Sequence, residues 1–112
     1  MNKVLHLVLK RKYFERIYNG VKKTEYRYLT PYWKKRIEGK HYTHIKFQLA
    51  YSKNPPTMLV EVKDRNVVEY KDDLAYAFDL GEIIEVNNYE WFRKIQSIGW
   101  WYLGDGIWYR EK

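Results

Sequence analysis

The chain contains no cysteine, so disulfides and thiolate metal sites are excluded and bridges carry no record of its redox compartment. It also lacks any apolar run near the ~20 residues that cross a bilayer, and no charged-then-apolar leader opens it. The expectation is a soluble, unexported protein, cytoplasmic by default, with no membrane partner. Neither a Walker-type nor a dinucleotide-type glycine loop occurs, so no nucleotide cofactor is expected. Internal repeats and low-complexity runs are missing too. Acidic residues are scarce in one half only: residues 1–56 hold 14 lysines and arginines against 3 acids, a net +11, whereas residues 57–112 hold 7 against 11, a net −4. Gathered on one surface, the first half would attract polyanions and bind them less well as salt rises. Spread around the fold, it would serve solubility alone.

What is present is a chain of 112 residues, 46% hydrophobic and 19% aromatic, enough for one domain with a real core. Val4 to Leu9 is apolar almost throughout and reads as a core strand buried on both faces, with His6 a satisfied core histidine. Phe14, Ile17 and Tyr18 fall at helical spacing, and Gly20 sits where a left-handed cap ends a helix. The exposed side of that helix carries Lys10, Arg11, Lys12 and Arg16. A second helix is predicted from Thr30-Pro31, a hydroxyl cap followed by proline at the first helical position, to about Glu38. Trp33 and Ile37 would face the core, leaving Lys34, Lys35 and Arg36 where a phosphate backbone could dock.

Ile45, Phe47, Leu49 and Tyr51 alternate as a strand, and the loop Ser52 to Pro56 puts Tyr51 and Lys53 on a rim. Thr57 to Tyr70 reads as a long strand bent near Asp64-Arg65-Asn66. Glu61 interrupts it and should face away from Met58, Val60 and Val62, toward a cleft or the exterior. Lys71 to Ala77 reads equally as a turn or one helical turn. Leu80 to Val86 is a strand interrupted by Gly81. After Asn87-Asn88 the spacing of Trp91, Phe92 and Ile95 suggests a helix over 89–98, and Trp100 to Tyr109 two short strands about Gly104-Asp105-Gly106. Large aromatics there need burial or a partner. The order is β-α-β-α-β-β-β, then a helix and an aromatic hairpin. That is an α+β chain, a small mixed β-barrel with short flanking helices over 1–86 and an aromatic extension over 87–112 packed on the same domain. His41 and His44 have no nearby thiol or carboxylate partner, so no metal is expected.

The stretch Gly20-Val21-Lys22-Lys23-Thr24-Glu25-Tyr26-Arg27 concentrates charges of both signs. On an extended strand Lys23, Glu25 and Arg27 share one face, and Lys22, Thr24 and Tyr26 the other. A carboxylate oriented by cations on either side suits a polar ligand. A solvated edge strand with loosely paired charges is the alternative.

This stretch resembles the G-x-K-x-x-E-x-R signature of ASCH domains. Thr30-Pro31-Tyr32-Trp33, Phe47-Gln48-Leu49-Ala50-Tyr51 and Met58-Leu59-Val60-Glu61-Val62 are similar to segments of its small bacterial and phage members, and the likeness covers roughly residues 2 to 86. The resemblance implies a PUA-like barrel, related to folds that bind RNA or modified bases, with Lys22, Glu25 and Arg27 in a cleft between the barrel and its first helices. Members that hydrolyse N4-acetylcytidine carry threonine where this chain has Glu25, and a glutamate cannot replace a hydroxyl as nucleophile or donor. That activity is therefore not carried over. In nuclease-like members a tyrosine and a lysine near the cleft are implicated, a pair for which Tyr51 and Lys53 could stand.

Three functions follow as expectations. The first is binding of RNA, another single-stranded nucleic acid or a modified nucleoside in a basic cleft: Glu25 accepts from a base edge, Lys22, Lys23, Arg27, Lys34, Lys35, Arg36 and Lys53 meet phosphate or orient Glu25, and Trp33 or Tyr51 stacks on a base. The second is a metal-independent ribonuclease or amidohydrolase using Lys22 as base and Glu25 as acid or orienting group. The third is a protein-interaction module using the aromatic tail. Oligomeric state is not expected from any of these features.

Overall fold

Strict alternation, rather than continuous burial, builds the first strand. In β1 (Val4–Leu9) the side chains of Leu5, Leu7 and Leu9 are buried, while Val4 and His6 are exposed. The one-sided pattern corrects the expectation of a strand buried on both faces. His6 is not a core residue, since its Nε2 lies 3.1 Å from Gln48 Oε1 on the outer face. The computed structural model describes residues 3–51 and 54–89 and the backbone of 100–104 and 107–110.

Helix α1 (Arg11–Tyr18) turns Phe14 and Ile17 inward and ends at Gly20, whose φ of 76° is the left-handed conformation that glycine adopts without a Cβ penalty. Strand β2 (Thr24–Tyr28) follows, then helix α2 (Pro31–Ile37), begun by Thr30, whose hydroxyl accepts from the Trp33 N–H. Strands β3 (His44–Leu49), β4 (Thr57–Tyr70) and β5 (Asp73–Asn87) complete the sheet. The long β5 replaces two sequence expectations, the turn or single helical turn at Lys71 to Ala77 and the strand interrupted at Gly81. Only Lys71 and Asp72 form the turn, with φ of 49° and 67°.

The sheet is five-stranded and mixed, in the order β1-β3-β4-β5-β2, with β1 parallel to β3 and every other pair antiparallel. The ladder is open: β1 is one edge and β2 the other. Irregularity in β4 falls between Leu59 and Asp64 rather than at the expected bend, because Asp64, Arg65 and Asn66 pair in register with Asp79, Phe78 and Ala77.

One core forms from Leu5, Leu7, Phe14, Ile17, Ile37, Ile45, Phe47, Met58, Val60 and Phe78 with their neighbours. Burying each such large side chain is worth about 2 kcal/mol against exposure. Tyr89 joins this core, its ring 5.2 Å from Phe14 and 4.6 Å from Tyr18. The expected tail hairpin is present in the backbone as β6 (Trp100–Gly104) paired antiparallel with β7 (Ile107–Arg110). Of the helix expected over 89–98, residues 90–98 lie outside the described residues.

Candidate functional site

Charge on β2 is organised around one buried acid. Glu25 is 3% exposed, the one charged residue in the described core, because its place opposite Phe78 turns it inward. Burying a carboxylate is costly unless it is paired and hydrogen-bonded. Lys22 Nζ donates to Oε1 at 2.5 Å and Arg27 Nη2 to Oε2 at 2.7 Å, so each oxygen holds one cation. The cluster carries a net charge of +1.

The alternation argument had placed Lys23 beside Glu25 and Lys22 on the opposite face. The structure reverses this, because β2 begins only at Thr24. Ahead of it, the α1 cap ties the N–H groups of Val21 and Lys22 to the Arg16 carbonyl, and the bent backbone lets Lys22 reach back to Glu25. Lys23 is exposed; its carbonyl accepts from the Leu80 N–H and its side chain lines a neighbouring cleft.

Arg27 connects the acid to α2. Its guanidinium carbon lies 5.1 Å from the Trp33 ring, and that of Arg36 lies 5.1 Å from the same ring, within cation–π range. Arg36 in turn donates to the Tyr32 hydroxyl and to the His6 carbonyl of β1. A chain of contacts thus runs from β2 through α2 to the far edge of the sheet. Lys34 and Lys35 stand exposed on α2, outside it.

Between the two edges is a cleft of about 330 Å³, hereafter the seam. Val8, Leu9 and Lys10 line one side, Glu25 to Tyr28 the other, with Lys22, Tyr13, Tyr70 and Lys71 completing it. Tyr26 and Tyr70 stack at 3.9 Å with their planes 11° apart, and Tyr28 lies 6.1 Å from Tyr70. In the ladder Tyr26 and Tyr28 oppose Ala77 and Ala75, whose small side chains are buried. Lys22 Nζ is 5.0 Å from the Tyr13 ring and Lys71 Nζ 5.2 Å from Tyr70. The Nε–H of Arg27 is buried with no acceptor among the described residues.

Of the residues singled out in the sequence, Lys22, Glu25 and Arg27 meet in the seam and Trp33 and Arg36 support it. Tyr51 is exposed beyond β3 and is not among the seam's lining residues, and Lys53 lies outside the described residues. Tyr13, Tyr26, Tyr28, Tyr70, Lys10 and Lys71 were not expected there. Lys10 did adjoin the motif in a basic run, but nothing local to Tyr70 shows that the β4–β5 hairpin returns it to Tyr26.

Comparison with protein-family models, with curated proteins and with solved structures finds no match.

Proposed function

We propose that the chain binds a base of single-stranded nucleic acid in the seam, as an ASCH-type module whose open sheet curls toward a PUA-like barrel. The observation that carries this is the composition of the seam: a buried, cation-held carboxylate beside a stacked tyrosine pair, ringed by Lys10, Lys22, Arg27 and Lys71. A carboxylate oxygen accepts more than one hydrogen bond, so Glu25 retains lone pairs for a base amino edge while Lys22 and Arg27 fix its direction. Tyrosine faces stack on bases at about 1–3 kcal/mol each, and the surrounding cations meet phosphate.

Titration of labelled single-stranded RNA at two salt concentrations tests the reading. Binding is expected at low salt, weaker at high salt, and at least about tenfold weaker for Arg27→Ala combined with Tyr26→Ala. No binding by the parent at low salt overturns it, as does unchanged binding by a double variant whose circular dichroism matches the parent.

A further inference from the structure

The seam is not isolated. Lys22 also lines a second cleft of about 570 Å³, and Lys63 lines both that cleft and a third of about 210 Å³. Each boundary between neighbouring clefts therefore carries a lysine. The second cleft has a floor of Ile17, Val60 and Leu80, all buried, with Lys23 on its rim. In the third, Lys40, His41 and Arg65 face the same space as Lys63.

The second cleft is shaped by the backbone. Register shifts follow one another between Leu59/Val60, Val60/Val62 and Val62/Asp64, and bulges of this kind re-aim side chains. Gly81 makes room for the result, because a Cβ there would stand 3.0 Å from Glu61 Oε1 and 3.1 Å from Lys63 Cγ. The acids are turned to the backbone or held beside it. Glu61 Oε1 accepts from the Glu82 N–H at 3.1 Å, and Asp64 accepts from the Arg65 N–H at 2.8 Å and from Asn66 Nδ2 at 3.2 Å. Glu61 and Glu82 both stay in the lining of the second cleft, where they repel phosphate and leave the walls formed by Lys22, Lys23 and Lys63 as the favourable path.

We infer that the three clefts form one track for a single strand of about three nucleotides, with bases in the clefts and phosphates over Lys22 and Lys63. This rests on the seam reading and extends it from one base to a strand. A single strand is the occupant because bases held in a duplex cannot splay into pockets.

Competition binding with cytidine monophosphate, tricytidylate and hexacytidylate, in ribo and deoxy forms and beside polyglutamate, tests the track. Affinity should rise about tenfold or more from monomer to trimer and level off by the hexamer. Lys63→Gln should shrink the trimer-to-monomer affinity ratio and lower the salt slope of the trimer by about 0.7. Equal affinity for monomer and trimer, or an unchanged ratio in folded Lys63→Gln, overturns the track and leaves a one-nucleotide seam. Polyglutamate binding as tightly as the hexamer overturns it in favour of a general polyanion surface. No binding of any nucleotide removes the seam reading and the track with it. The ribo and deoxy series decide which sugar the track accepts.

Discussion

Glu25 holds two cations at once. Its carboxylate is paired with both Lys22 and Arg27 at a place only 3% exposed, so Glu25→Ala leaves two cations adjacent over a small void. Loss of one partner from a largely buried ion pair costs about 3 kcal/mol, which a fall in the urea midpoint will register. An unchanged midpoint would show that the ion pairs of Glu25 add nothing to stability. Tyr76 offers a second test at this scale. Burial raises its hydroxyl above the ordinary value of 10.0, the neighbouring Glu38 carboxylate adds to the rise, and Arg65 opposes it. An ionisation that the native state resists is easier in the unfolded chain, so stability is complete below about pH 10 and declines as pH climbs through the raised value. Thermal melts between pH 9 and 11 should show this decline, and Tyr76→Phe should flatten it. The buried hydroxyl makes no well-formed hydrogen bond among the described residues, so the substitution itself should cost little near neutrality.

Among the elements, the β4–β5 hairpin is held under conformational strain. Its two-residue turn has left-handed φ at both Lys71 and Asp72, where asparagine and glycine are the usual residues. Asp72→Gly should therefore stabilise the fold by about 1 kcal/mol, read as a raised urea midpoint; a lowered midpoint would mean that the aspartate makes a compensating contact. Lys71, in this left-handed conformation, is one of the residues that line the seam. The same hairpin shows where local pattern ceases to inform. Ala75, Tyr76, Ala77 and Phe78 are all buried, so the first half of β5 has no polar face and no period of two to read. Gly81, apparently an interruption, is a close-packing position within the strand. Helices α1 and α2 were legible nearly to the residue because their ends carry a left-handed glycine and a Thr-Pro start, signals that act within a few residues.

For the whole molecule, the α+β class and the order of the elements through β4 were legible, because most of those elements have a local period or punctuation of their own, which the first half of β5 lacks. The sheet order was not: β2 lies beside β5 and β1 beside β3, pairings fixed by which apolar faces meet in the core. The site divided in the same way. Lys22, Glu25 and Arg27 lie within six residues of sequence, whereas the tyrosines around them come from α1, β2 and the end of β4. Charge asymmetry between the halves was visible, but the seam depends on which cations the open edges bring together.

An open sheet also faces other copies of itself. Unpaired edge backbone is a template for strand-to-strand polymerisation, and natural sheets guard such edges with inward-pointing or covering charges. The outward carbonyl of His6 is already occupied by Arg36, and Lys22 and Arg27 are anchored beside the edge formed by β2. Lys22 and Arg27, which line the seam, therefore also guard one edge from a neighbour's strand while Arg36 guards the other, so the proposed recognition and the resistance to aggregation would draw on neighbouring side chains.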